Sequence, residues 1–89
     1  MREAELQSKI TKQLEASGWL VVKVIQCNKN GWPDLTALRN GQTVFIEVKA
    51  AGKKPRPLQE YRHQQLRKQG FKTIVIDNPH DSELAALCQ

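Results

Sequence analysis

Two acidic residues and a lysine near the middle of the chain have the types and spacing to do chemistry. Glu47 and Lys49 lie two residues apart in the largely apolar run over residues 43–49. Strand alternation places Phe45, Glu47 and Lys49 on one face of this run, with the aliphatic side chains on the other face. Taken alone, this pattern also fits an ordinary ion pair near the end of a strand.

Asp34 adds a second carboxylate to this pair. The Asn40-Gly41 dipeptide predicts a two-residue hairpin turn, and strands that pair symmetrically about that turn bring Asp34 opposite Glu47. Opposite residues have Cβ atoms about 5 Å apart. Two carboxylates at that separation repel each other unless a cation lies between them, and hard oxygen ligands suit Mg²⁺ or Mn²⁺. The alternative for Asp34 alone is a turn residue that follows Pro33.

The rest of the chain predicts the elements that position these residues. Leu6, Ile10 and Leu14 recur every four residues and predict a first helix, whereas runs rich in β-branched residues predict strands. The order αβββαβα, with a crossover to a parallel neighbouring strand, predicts an α/β fold in which helices flank a small mixed β-sheet. The predicted bounds are residues 3–17, 19–25, 34–38, 43–49, 57–69 and 72–77, with a closing helix that opens at Asp81-Ser82-Glu83.

Composition and length limit the class of protein. Eighty-nine residues, 39% of them apolar, predict one domain over residues 1–89 with a small core. The mean hydropathy of -0.57 and the short apolar runs argue against a membrane span, and the charged N-terminal residues are unlike a signal peptide. Cys27 and Cys88 form no CxxC motif and are too few for a structural zinc site, so we expect reduced thiols and a cytoplasmic protein.

The positive charge is concentrated in one segment. The net charge is +5, and residues 49–72 hold eight basic residues and a single acid, Glu60. A dense basic segment favours a polyanionic partner such as nucleic acid. A solvated basic face on the protein surface would give the same pattern.

The acidic and basic residues together resemble a known nuclease signature. Gly-Trp-Pro-Asp-Leu at residues 31–35, followed after a short hairpin by Phe-Ile-Glu-Val-Lys at residues 45–49, is similar to the PD-(D/E)xK signature. With a following helix that begins near Gln59, the pattern resembles the VRR-NUC (virus-type replication-repair nuclease) domain in particular. The resemblance covers nearly the whole chain and implies a restriction-endonuclease-like PD-(D/E)xK core that hydrolyses phosphodiester bonds.

The resemblance implies a role for each site residue. Asp34 and Glu47 would bind Mg²⁺ or Mn²⁺ together with the carbonyl of Val48, with no organic cofactor. Lys49 would orient or activate the attacking water and offset charge in the transition state. Gln59 would bind water or phosphate near the metal, although a surface glutamine in a polar helix is the alternative.

The family also places a catalytic glutamate on the first helix. Glu3 lies on the helix face that carries Leu6 and Ile10, whereas Glu5 falls on the polar side, so the pattern favours Glu3. Both are also acids at a helix start, where the macrodipole favours negative charge whatever the function.

Several residues of the basic segment, and one tryptophan, are candidates to contact nucleic acid. Cations there would hold the phosphate backbone without reading sequence. Trp19 is expected in the core, and Trp32, in the loop before Asp34, is the tryptophan that could stack on a splayed strand. His63 and His80 have no partner at ligand spacing and are expected on the surface. The predicted nucleic-acid-binding residues are Lys53, Lys54, Arg56, Arg62, Arg67 and Trp32.

The resemblance also implies a substrate and an assembly. Stand-alone domains of this size in the family resemble Holliday-junction resolvases, which act on branched DNA as homodimers. The sequence therefore predicts a metal-dependent, structure-specific DNA endonuclease with little sequence specificity and no membrane partner. The alternatives are a flap or nick nuclease, a non-catalytic nucleic-acid-binding module of the same fold, and a plain interaction protein whose acids form surface ion pairs.

Overall fold

A computed structural model describes residues 1–89 and contains all seven predicted elements. They are α1 (Glu3–Ala16), β1 (Leu20–Lys23), β2 (Leu35–Arg39), β3 (Gln42–Val48), α2 (Pro57–Lys68), β4 (Lys72–Ile76) and α3 (Ser82–Leu87). None of these helices is long and apolar enough to cross a membrane.

The four strands form one mixed sheet in the order β1-β2-β3-β4. β1 pairs antiparallel with β2, and β2 pairs antiparallel with β3. β3 and β4 are parallel, so α2 is the crossover connection between them. The predicted fold class, an α/β domain with a small mixed sheet and flanking helices, is confirmed.

The hairpin between β2 and β3 has the register that the sequence predicts. Asn40 and Gly41 both have positive φ, 51° and 76°, as a type I′ turn requires. Arg39 pairs with Gln42 and, at the other end of β2, Leu35 pairs with Ile46. Continuing this register by one residue places Asp34 opposite Glu47.

The core lies between α1 and one face of the sheet. Leu6, Ile10 and Leu14 of α1 are buried, and Trp19 is buried with them as predicted. The sheet contributes Leu35, Ala37, Val44, Ile46, Val48, Ile74 and Ile76 to the same cluster. Because strand side chains alternate, the other residues of β3, including Glu47, point to the opposite face, where α2 packs.

Strand β1 is shorter than predicted. The predicted strand covered residues 19–25, but the strand ends at Lys23. The N–H of Val24 still donates to the carbonyl of Asp34 at 2.9 Å. Beyond this bond the chain leaves the sheet, because residues 25–33 form a loop that contains Asn28, Asn30, Gly31 and Pro33. Ile25 therefore lies in the loop and is 82% exposed.

The loop that leads into Asp34 is fixed against the start of α2. Nε of Arg62 donates to the carbonyl of Asn30 at 2.8 Å. The next residue, Gly31, has φ of 79°, and a Cβ atom there would lie 2.9 Å from Cγ and from the carbonyl oxygen of Leu58. Glycine thus permits both the positive φ and a close approach to α2. This contact fixes the position of the loop from which Asp34 and then β2 follow.

Replacing Gly31 with alanine should separate the two reasons for glycine. Gly52 has the same φ of 79° but open space around it, so Gly52→Ala is a matched control for backbone strain. We expect Gly31→Ala to lower the free energy of unfolding by about 1–2 kcal/mol more than Gly52→Ala does, because only the first adds an overlap with Leu58. Urea unfolding followed by circular dichroism measures the difference. Equal losses would contradict a close loop–helix contact.

Candidate active site

Asp34 is held at the end of β3 by the backbone. Its Oδ2 atom accepts a hydrogen bond of 2.8 Å from the N–H of Val48. Asp34 is half-buried and is the residue directly before β2. The hairpin register and this bond together place the Asp34 carboxylate beside the carboxyl group of Glu47.

Glu47 is a buried acid surrounded by polar side chains. It is 1% exposed on the face of β3 that α2 covers. Its Oε2 atom lies 3.7 Å from Nζ of Lys49 and accepts a 3.3 Å hydrogen bond from Nε2 of Gln59. Its Oε1 atom is buried without a hydrogen-bond partner. A buried carboxyl oxygen without a partner is unfavourable for folding, which is typical of a group that binds a ligand.

The protonation of Glu47 reflects this environment. The pKa of Glu47 is raised from 4.5 to about 8, first by burial and then by the charge of the neighbouring Asp34 and a hydrogen bond with its side chain. The Lys49 ammonium lowers the pKa, but by less. The metal-free carboxyl group therefore holds a proton at neutral pH, and a cation between the two acids would favour its release.

Lys49 lies on the same face of the sheet as Glu47, as strand alternation predicts. Its side chain is 12% exposed, and its Nζ atom lies 3.7 Å from a carboxyl oxygen of Glu47, whose side chain is 1% exposed. An ordinary ion pair at a strand end would have both groups in solvent. The observed pair is instead largely withdrawn from water.

Gln59 is oriented by the first turn of α2. The helix begins with Pro57, and the Gln59 Oε1 atom accepts a 2.8 Å hydrogen bond from the N–H of Arg56. With its oxygen fixed in this way, the amide directs Nε2 toward Glu47. Gln59 is 8% exposed, so the alternative of a surface glutamine is wrong.

His63 is a site residue that the sequence reasoning missed. We predicted a surface position, but His63 is 2% exposed and its Nε2 atom lies 3.5 Å from Oε1 of Glu47. Burial, and then the charge of Arg67, lower the pKa of His63 below 6.5, so the imidazole is neutral at pH 7. The available signal was spacing: His63 comes four residues after Gln59 and so shares its helix face.

The first helix brings one acid toward the site. The negative charge of Glu3 contributes to the raised pKa of Glu47, by less than burial and Asp34 do. Glu3 and Glu5 are both exposed at the start of α1. The assignment of Glu3 as the acid of the first helix stays a prediction.

The donor set fits a divalent cation. Two carboxyl groups lie side by side, and one has a buried oxygen with no partner. The chain has no group of three or more His, Cys, Asp or Glu residues that could enclose a metal. A cation here would complete its shell with backbone carbonyl, water and substrate oxygens, which is the coordination that Mg²⁺ adopts in phosphate-processing sites.

The predicted nucleic-acid-binding residues occupy two different environments. Lys53, Lys54 and Arg56 are exposed on the connection from β3 to α2. Arg67 is also exposed, with one guanidinium nitrogen 3.4 Å from the carbonyl of Thr73. Such exposed cations are free to contact a phosphate backbone.

Arg62 and Trp32 are instead partly buried. Arg62 donates to the carbonyl of Asn30 and, through a second nitrogen, to Oε1 of Gln65 at 2.9 Å. Trp32 packs edge-on against Phe45, with ring centroids 5.7 Å apart. Arg62 therefore holds the loop to α2, and Trp32 presents only part of its ring to solvent.

Comparisons with known proteins identify the family. A solved structure of a "VRR_NUC domain" matches with a TM-score of 0.82 and 32% identity, over 96% of this chain and 91% of that one. The chain belongs to the VRR-NUC family. "Putative nuclease p44" of Acyrthosiphon pisum secondary endosymbiont phage 1 is 34% identical over 79 residues, which are 88% of this chain and 85% of that protein. No protein-family model matches the sequence.

The stability of this VRR-NUC domain should depend on pH through Glu47. Because the pKa is 4.5 before folding and about 8 after, the folded state binds more protons between these values, and stability falls as pH rises through them. Glu47→Gln cannot lose a proton. In metal-free buffer its stability relative to wild type should therefore rise between pH 5 and pH 9, by on the order of a few kcal/mol.

Urea unfolding in EDTA at several pH values measures this difference. Glu15→Gln, at an exposed position of α1, controls for the change in net charge. Parallel stability profiles for wild type and Glu47→Gln would contradict a proton held by the buried carboxyl group.

Proposed function

We propose that the protein is a Mg²⁺- or Mn²⁺-dependent deoxyribonuclease that hydrolyses phosphodiester bonds. The observation that supports this most directly is the buried Glu47, with one unpartnered oxygen, beside Asp34 and Lys49 in a VRR-NUC fold. Neither a binding module nor an interaction protein needs a buried acid with a raised pKa beside a second acid.

Each residue of the proposed site has a distinct role. Asp34 and Glu47, with the carbonyl of Val48, would hold the cation. When bound, such a cation lowers the pKa of a coordinated water and neutralises phosphate oxygens. Lys49 would orient the attacking water and stabilise negative charge that develops on the phosphate. Gln59, already fixed against Glu47, would hold that carboxylate and a water or phosphate oxygen in place.

Two further residues would act by positioning. Nε2 of His63 lies 3.5 Å from Oε1, the Glu47 oxygen that Gln59 does not contact, so both α2 side chains would help to orient the carboxyl group. Glu3 would add negative charge at the exposed side of the site and attract the cation. Neither residue needs to contact the reacting atoms for this role.

The exposed cations support DNA as the substrate. Lys53, Lys54 and Arg56 follow Lys49 on the connection that leaves the site, where they would contact phosphates on either side of the scissile bond. Arg67 extends the basic surface along α2. Contacts of this kind bind DNA through charge and shape, with little dependence on base sequence.

We further propose that residues 1–89 are one nuclease domain that acts in the cytoplasm as a homodimer on branched DNA. The match to most of the length of its relatives supports the single domain, and the resemblance to stand-alone VRR-NUC domains supports the homodimer and the branched substrate. Two identical sites related by a two-fold axis would suit a four-way junction, whose strands are also related by two-fold symmetry.

Cleavage assays on labelled DNA test the proposed chemistry. With Mg²⁺, we expect wild-type cleavage, and at least about a 100-fold slower rate for Asp34→Asn and Lys49→Ala, because each removes charge from the site. Asp34→Asn keeps an oxygen that can accept from Val48, so its fold should persist. Lys23→Ala, an exposed lysine of β1, is the matched control for lysine loss. Full activity in both site variants, or in EDTA, would contradict the proposal.

A panel of substrates tests the proposed assembly. A resolvase-like homodimer should cut four-way junctions in two symmetric strands, faster than linear, nicked or flap DNA of the same sequence. Sedimentation velocity should show a species of twice the 10.1 kDa chain mass at assay concentrations. Cleavage of all substrates at one rate by a monomer would contradict the homodimer while leaving the nuclease activity intact. Tight binding without cleavage would instead indicate a non-catalytic module.

A further inference from the structure

A cavity on the protein surface is lined in part by Trp32, in the loop that leads into Asp34. It has a volume of about 420 Å³ and lies between the loop that precedes Asp34 and the outer side of α2. Leu66 lies at its base. The side chains that give it its chemical character are Trp32, Tyr61, Gln64, Gln65, Lys68 and Gln69.

Trp32 forms one wall of this cavity, and its ring is held in place by contacts with other aromatic side chains. The Trp32 ring packs edge-on against Phe45, and Phe45 packs edge-on against Phe71, with centroid distances of 5.7 and 5.6 Å. The loop is also fixed by the close approach of Gly31 to α2. A ring held in this way loses little conformational freedom when a ligand stacks on it.

Tyr61 forms a second wall of the cavity, and Arg62 contacts both Tyr61 and the loop that carries Trp32. Arg62 donates to the carbonyl of Asn30 in the loop and to Oε1 of Gln65 on α2. Its guanidinium group also lies 5.4 Å from the centroid of the Tyr61 ring. The Tyr61 side chain remains 52% exposed. Arg62 thus fixes the spacing of two aromatic side chains, of which Tyr61 is exposed and Trp32 is partly exposed.

The lining matches the chemistry of an unpaired nucleobase. Aromatic rings stack on bases, and amide side chains offer both donors and acceptors to a base edge. An ammonium group such as that of Lys68 suits the attached phosphate. A volume of about 420 Å³ is within the range of small-molecule sites.

We propose that this cavity binds an unpaired base of the DNA substrate. Trp32 is two residues before Asp34, so the base would belong to a nucleotide close to the scissile phosphate. A base stacked inside a duplex cannot enter such a cavity, which would favour DNA with unstacked nucleotides at the cleavage position. This inference rests on the proposed nuclease function. The basic surface of the protein would hold the DNA strand so that its base can reach the cavity.

Paired probes of equal charge test the inference. One probe is a labelled duplex with a single-stranded thymidine tail, and the other has the same tail with abasic residues. Fluorescence anisotropy with Ca²⁺ in place of Mg²⁺ measures affinity without relying on cleavage. Wild type should bind the thymidine tail about five-fold or more tightly than the abasic tail, because stacking is lost in the second probe.

Variants at Tyr61 locate the binding site. Tyr61→Ala should remove most of the preference for the thymidine tail, and Tyr61→Phe, which keeps the ring, should retain it. Leu20→Ala is the matched control, because it removes an exposed apolar side chain from edge strand β1, away from α2. Tyr61 is more than half exposed, so its variants should fold, and circular dichroism checks this.

Each result separates the inference from the nuclease proposal. Equal affinity of wild type for the two probes would overturn the base-binding cavity and leave metal-dependent cleavage to its own assay. A preference that persists in Tyr61→Ala would also overturn the cavity. Failure to bind either probe, together with absence of cleavage, would overturn both.

Discussion

The burial of one carboxyl group, that of Glu47, is the constraint on which the site depends. The side chain is 1% exposed and contacts Lys49, Gln59 and His63, yet Oε1 has no hydrogen-bond partner. Burial beside a second acid raises the pKa to about 8, so the group is poorly suited to the folded state in its ionised form. An apolar residue of similar size would make a more stable sheet. The cation proposed above would compensate the charge of this group once it is ionised.

Two connections in the fold create this arrangement from opposite sides of β3. The tight turn at Asn40 and Gly41 sets the register that brings Asp34 alongside Glu47. The parallel crossover then returns α2 over the same face, where Gln59 and His63, one helical turn apart, reach the carboxyl group. A hairpin supplies the second acid and a helix supplies the polar contacts. Neither connection alone would give a site with both.

The sequence predicts the parts of this arrangement that depend on local signals. The hairpin dipeptide, the alternation in β3 and the apolar stripe of α1 were sufficient for the fold class and for the pairing of the two acids. The buried face of α2 was not predictable in this way, because its buried residues are Gln59, His63 and Leu66, and apolar periodicity cannot identify a face that is mostly polar. The end of β1 was likewise not predictable from its own apolar sequence, because Val24 and Ile25 continue the apolar run although the strand ends at Lys23.

Helix α2 and the loop that precedes Asp34 also connect the proposed catalytic site with the proposed base-binding cavity. The inner face of α2 contacts the acid, while its outer face forms the cavity lined by Trp32 and Tyr61. Arg62 donates hydrogen bonds both to the loop that precedes Asp34 and to Gln65 of α2. Because Trp32 and Asp34 lie on the same short loop, the contacts that position one also position the other. A strand that stacks on the tryptophan would therefore present its phosphate to a carboxylate whose place is already determined by the backbone of β3.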